Sequence, residues 1–150
     1  MQNVNRIAFI SAAACAAVAL TSVAADEIII ESAKDNTLYE DTDGMLSNGA
    51  GERIFVGRTG DGSIRRALLA FDVAAAVPAG STINSVSLRM NMSRTIAGDH
   101  DVSLHTLTAD WGEGASDALG AEGRGIQAEE GDATWIHTFY DDMFWTTEGG

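Results

Sequence analysis

Covalent and rigid ties are almost absent from this chain: cysteine occurs once, at Cys15, and proline once, at Pro78. A lone cysteine excludes an intrachain disulfide, and with it a cysteine-built metal centre. One proline excludes a proline-rich linker. Positive charge is scarce as well, with nine Lys and Arg against 22 Asp and Glu and a formal net charge of −13. That balance argues against nucleic acid or an anionic membrane as partner. Catalytic signatures are missing: His100, His105 and His137 have no zinc spacing, and there is neither a Gly-x-Ser-x-Gly elbow nor a phosphate loop. Two carboxylates can always be found among 22 acids, so a glycosidase pair is not identified by their number, and no catalytic residue is assigned.

Residues 1–25 read as a secretory signal peptide. Arg6 supplies a positive start, Ile7 to Leu20 an apolar run too short for a good membrane span, and Ser22-Val23-Ala24-Ala25 small residues for cleavage. The expected destination is secreted, extracellular or at the cell surface of a bacterium, with no membrane insertion after cleavage. Cys15 leaves with the leader. Residues 26–150 then suit one domain with one core. They carry all 22 acids and eight of the nine basic residues.

Ile64-Arg65-Arg66-Ala67-Leu68-Leu69-Ala70-Phe71-Asp72-Val73 is the longest apolar run of that part, preceded by the turn signal Thr59-Gly60-Asp61-Gly62-Ser63. It predicts a central strand buried on both faces, with Leu68, Leu69 and Phe71 as its main apolar weight. Further strands are expected at Asp26–Ser32, Asp35–Glu40, Arg53–Arg58 and Thr134–Tyr140. The cleanest alternation is Val86, Leu88, Met90 and Met92 against Ser87, Arg89, Asn91 and Ser93, repeated in Asp101–Thr108, and it predicts two half-buried antiparallel strands. Val73 to Val77 permits one helical turn, ended by Pro78. Between Asp110 and Asp132 the pattern gives way to glycine and acid, as in a functional or disordered loop. The whole predicts an all-β fold, an antiparallel jelly-roll-like β-sandwich. Because the chain stops just past an aromatic strand, the expectation is a fragment whose last strands are missing.

Six blocks carry a family resemblance: Asp35 to Glu40, Leu46 to Gly51, Arg65 to Asp72, Val77 to Ile83, Trp111 to Gly114, and Gly131 to Trp135. Together they resemble the DNRLRE domain, also described as carbohydrate-binding module family 96. The resemblance spans nearly all of residues 26–150. It implies a secreted β-sandwich attached to bacterial surface proteins or polysaccharide-degrading enzymes, with alginate as a ligand known in the family. It identifies no individual contact residue.

The residues themselves offer three candidate sets. Trp111, Trp135, Tyr140 and Trp145 have rings that could stack on sugars, set against plain core packing. Arg53, Arg58, Arg65 and Arg66 hold half of the basic residues after residue 25 within a short span and could line one groove for sugar carboxylates, set against neutralising nearby acids. Asp110, Glu113, Asp117 and Asp132 combine hard oxygens with flexible glycine backbone, as calcium requires, although no spacing matches a known calcium loop. Calcium would also reconcile an acidic protein with an acidic polysaccharide. The leading expectation is a secreted, non-catalytic carbohydrate-binding module for a polysaccharide such as alginate. The alternatives are a structural module of a larger bacterial cell-surface protein and a fragment of a polysaccharide lyase or hydrolase. A planar row of exposed rings favours sugar binding, whereas scattered buried rings favour the structural module.

Overall fold

The computed structural model describes residues 26–150, so the signal-peptide reading of residues 1–25 lies outside the described residues. The strands are β1 (Lys34–Tyr39), β2 (Leu46–Ser47), β3 (Gly57–Arg58), β4 (Ile64–Ala70), β5 (Ile126–Gln127), β6 (His137–Phe139) and β7 (Met143–Phe144), with one short helix, α1 (Val73–Ala76). They form antiparallel sheets of order β1-β4-β3, β2-β5 and β6-β7. The fold is all-β, as expected.

The apolar run at residues 64–70 forms the central strand of the largest sheet, paired on both edges. Its turn closes with Thr59 N–H donating to Ser63 C=O at 2.9 Å and Gly62 N–H to Thr59 C=O at 3.0 Å. Gly62 sits at φ +95°, a conformation side chains rarely adopt. Register places Asn36 opposite Leu68, Leu38 opposite Arg66 and Tyr39 opposite Arg65. By the two-residue period, Lys34, Asn36, Leu38, Ile64, Arg66 and Leu68 share one face, and Asp35, Thr37, Tyr39, Arg65 and Leu69 share the other.

The first face carries the core. Leu38 and Leu68 pack with Trp111, Ala133, Trp135 and Trp145. The second face is covered by the Arg53–Phe55 segment and by Glu122 to Gly125. Tyr39 lies 6.4 Å from Phe55 between ring centroids, and its hydroxyl donates to Glu122 C=O at 3.0 Å. Both faces are therefore covered, but unequally: Leu68 is buried, Leu69 half-buried, and Phe71, past the strand end, is exposed. The expectation that Phe71 belongs to the core is corrected. At Asp72 the backbone turns into α1, whose Ala75 N–H is capped by Asp72 Oδ1 at 3.0 Å, and Pro78 follows at its end.

Several predicted strands are shorter or absent. Arg53–Arg58 contributes only Gly57–Arg58 to a sheet, and Thr134–Tyr140 only His137–Phe139. Asp26–Ser32 forms no strand, and the sheet begins where Ala33 N–H donates to Ala70 C=O at 2.7 Å. The two alternating stretches, residues 86–93 and 101–108, form no strand either, and every residue from Pro78 to Asp110 is exposed. Alternation specifies a face, whereas a strand also needs a ladder partner, and among the described residues these stretches have none.

Residues 110–132, expected as a functional or disordered loop, are ordered here as a packing element. Trp111, Ser116, Ala118, Glu122, Ala128 and Asp132 are all buried. Gly112 N–H donates to Thr138 C=O and Ala133 N–H to Gly112 C=O, both at 2.9 Å. A Cβ on Gly112 would overlap the Gly131 carbonyl, so glycine is required here by close backbone approach.

If the Leu68 face is the core face, Leu68→Ala should cost about 2 to 5 kcal/mol and Phe71→Ala less than about 1 kcal/mol. Urea unfolding of the two variants beside the parent checks this ranking, and equal losses would mean that both faces bear on the core alike.

Candidate functional site

The tryptophans resolve first. Trp111, Trp135 and Trp145 are 3%, 7% and 9% exposed, gathered around Leu38 and Leu68. Trp145 also spends its indole N–H on Thr134 C=O at 2.9 Å. No ring face among these three is free to stack on a sugar, which corrects their candidacy as ligand contacts. Tyr140 differs: it is half-buried and meets His137 edge-on at 5.2 Å, with Phe144 on the same imidazole at 4.6 Å. Phe144 is 62% exposed.

The arginines do not line one groove, and the reason is the strand period. Arg65 and Arg66 are adjacent on β4 and so project from opposite faces. The Arg65 guanidinium lies 4.8 Å from the Tyr39 ring centroid and donates to Gly123 C=O at 3.4 Å. That of Arg66 lies 5.1 Å from the Trp135 centroid and donates to Gly149 C=O at 2.5 Å. Arg53 pairs with Glu122 at 2.6 Å and with Glu52 at 3.6 Å. Arg58 donates to Gly62 C=O at 2.5 Å within its own hairpin. Each of the four holds a different piece of chain.

The acidic quartet is likewise dispersed. Asp110 is exposed and pairs with Lys34 at 2.7 Å, and this hydrogen bond holds its carboxyl below the usual range. Glu113 Oε1 accepts the Asp35 N–H at 2.9 Å. Asp117 is exposed on the loop, and Asp132 is fully buried. Among the described residues no three His, Cys, Asp or Glu side chains come together in a way that could hold a metal ion. Calcium binding by these four as one site is corrected accordingly: Asp110 serves a neighbouring cation, Glu113 and Asp132 serve backbone N–H groups, and Asp117 stands apart from them on the exposed loop.

What the structure does bring together is a buried polar knot. Asn36 Nδ2 donates to Ser47 Oγ at 3.0 Å and to Glu113 C=O at 2.8 Å. Its Oδ1 accepts the N–H groups of Thr37 at 2.6 Å and Asn48 at 3.3 Å. Ser47, with one hydroxyl proton, uses it on Ala133 C=O at 2.9 Å. Beside the knot, Asp132 Oδ2 accepts Glu129 N–H at 2.6 Å and Oδ1 the more distant Ser116 N–H at 3.5 Å. Burial pushes its carboxyl above the ordinary 3.8 despite these bonds. A second node is Glu122, whose carboxylate accepts from Asn48 Nδ2 at 3.1 Å, Arg53 N–H at 3.0 Å and the Arg53 guanidinium. Glu122 sits at φ +60°, held there by those contacts and by Tyr39. Burial raises the Tyr39 hydroxyl to about 12, so it remains a donor.

Sequence reasoning did not select Asn36, Ser47, Asn48 or Glu122. A polar Asn in a strand is a usable signal, since Asn is depleted there. Glu122 carried none, being one acid among many. Next to this node an open cleft of about 450 Å³ is lined by Ala50, Arg53, Asp117, Leu119 and Glu122 among others. It contains no aromatic ring, and its one cation is already paired, so it offers neither a stacking surface nor a free positive charge.

Arg53→Ala should destabilise by about 1 to 3 kcal/mol, because the buried Glu122 carboxylate loses its charged donor. Chemical denaturation measures this, and a neutral result would return Arg53 to the ligand-binding candidates. For Asp132 the folded protein resists ionisation more than the unfolded chain does. It therefore binds more protons when folded, and stability falls as pH rises above 3.8. The stability gap between the parent and Asp132→Asn should be widest at the acid end and narrow toward neutral pH in paired urea titrations. A gap that widens instead would mean that the two amide bonds outweigh desolvation.

Compared with family models, with curated proteins and with solved structures, the chain finds no match in any of the three.

Proposed function

We propose that this protein is a non-catalytic structural module of a larger bacterial cell-surface protein, secreted through its N-terminal leader. The single observation that carries this reading is the use of its chemistry. All three tryptophans are buried in the core, Arg65 and Arg66 each fasten a loop to the sheet, and Arg53 ties two loop segments together through Glu122. Side chains that a sugar site would present are consumed in holding the chain together. The antiparallel sheets, with a core on one face and a second packed layer on the other, support a sandwich of jelly-roll type, in keeping with the DNRLRE resemblance. No helix among the described residues is long and apolar enough to cross a membrane.

One observation favours a second reading, binding of an acidic polysaccharide such as alginate. Tyr140 and Phe144 are brought to one imidazole at the β6-β7 hairpin, and Phe144 is largely exposed. Two rings on one imidazole, one of them largely exposed, offer apolar surface of the kind sugars stack on.

Thermal melts with and without alginate, each with calcium and with chelator, test the choice. A structural module should melt at the same temperature in all four. A native-state ligand at about 100 times its Kd would add about 2.7 kcal/mol and raise Tm. A rise abolished by Phe144→Ala would establish the second reading at that hairpin, and a rise that survives it would place a sugar site elsewhere. Either would overturn the structural module.

A further inference from the structure

The segment between Gly80 and Asp110 stands apart from the rest of the molecule. Ile83, Val86, Leu88, Met90, Met92, Ile96, Val102, Leu104 and Leu107 are all exposed, Val86 at 86% and Leu104 at 74%. The backbone there is equally unused. Among the described residues, the only hydrogen bonds made within residues 83–108 join Thr95 and Ala97. Two period-2 stretches thus present both an apolar face and unpaired amides, the two things an extended partner supplies.

We infer that this segment is a self-association surface whose occupant is a second copy of the chain, residues 83–89 of one copy pairing antiparallel with residues 101–107 of the other, and the reverse. Three observations select this partner. First, charge: the protein is strongly acidic, yet residues 80–109 carry Arg89 and Arg94 against Asp99 and Asp101, a balanced set. A second copy can approach here without the repulsion it meets elsewhere.

Second, register. Placing Arg89 opposite Asp101 sets Leu88 against Val102, Ser87 against Ser103, Val86 against Leu104 and Ile83 against Leu107. Apolar meets apolar, and opposite charges meet, at every such step. Pairing residues 83–89 with themselves would offer no such charge match. Third, area: these side chains leave on the order of 1,000 Å² per copy uncovered, enough for the roughly 800 Å² per partner of a standard interface. The β1 edge of the main sheet is closed by contrast, since Glu113 accepts Asp35 N–H and Asn36 accepts Thr37 N–H. The inference rests on this segment alone and holds whichever reading of the domain's other surfaces is right.

The test uses the full chain, expressed with its own leader and purified in the form the host yields, with the N-terminus read by mass spectrometry. Sedimentation velocity across a concentration series should show a dimer. Val86→Glu combined with Leu104→Glu, which face each other in this register, should weaken it by about tenfold or more in Kd while leaving the thermal melt of the core in place, since both residues are exposed. Ser87→Cys with Ser103→Cys should give, on oxidation, a disulfide-linked species of twice the chain mass. A monomer at all concentrations, a dimer untouched by the glutamates, or a disulfide closed within one chain as a hairpin would each overturn the proposal.

Discussion

The structure depends on Asn36. In the middle of β1 its amide is fully buried, and it satisfies groups from four separated parts of the chain: Thr37, Ser47 and Asn48, Glu113, and through Ser47 the carbonyl of Ala133. Leaving any one of these buried groups without a partner costs about 1 to 3 kcal/mol, a large part of a net stability of about 5 to 15 kcal/mol. The long 110–132 segment has almost no regular structure of its own, so its backbone can be buried only because such side chains receive it. Once Glu113 and Ala133 are fixed, Trp111 and Trp135 beside them are committed to the core.

The cations follow the same logic. Lys34, Arg65 and Arg66 each sit over a ring, those of Trp111, Tyr39 and Trp135, at 4.5, 4.8 and 5.1 Å from the centroids. A chain with eight basic residues after residue 25 thus places three of them where their stems cover aromatic surface and their heads reach carbonyls or carboxylates. That leaves the outer surface still more acidic than composition implies. It also explains why the arginine cluster looked like a binding groove in the sequence: the same residue types, planar and multidentate, suit both a ligand carboxylate and a loop carbonyl.

How much was legible follows from what each signal encodes. The run at residues 64–70 is unambiguous because it is apolar on both faces and bounded by a glycine turn, and it is the central strand. The Val73–Ala76 turn was legible from Pro78. Of the six blocks that carry the family resemblance, four converge in space, since Asn36, Ser47 to Gly49, Glu113 and Asp132 to Ala133 meet at the knot. Their order along the chain was visible and their meeting was not, because hydrogen bonds between residues some 80 to 100 positions apart leave no periodicity. Trp111 was ambiguous for a related reason, since a ring that packs and a ring that binds sugar have the same sequence appearance.

Residues 86–93 and 101–108 mark the opposite failure, a strong signal without its structural counterpart. Their alternation is cleaner than that of β1, which buries Asn36, Thr37, Leu38 and Tyr39 in succession. β1 is nonetheless the strand, because β4 supplies a ladder along its whole length and loops cover both its faces. Pattern records which side of a segment seeks burial, and pairing decides whether it is buried. A chain that caps the free edge of β1 with Glu113 and Asn36, yet leaves two alternating stretches uncapped, treats its edges unequally. Capping prevents association where the sheet is complete, so the uncapped pair is where association is to be sought.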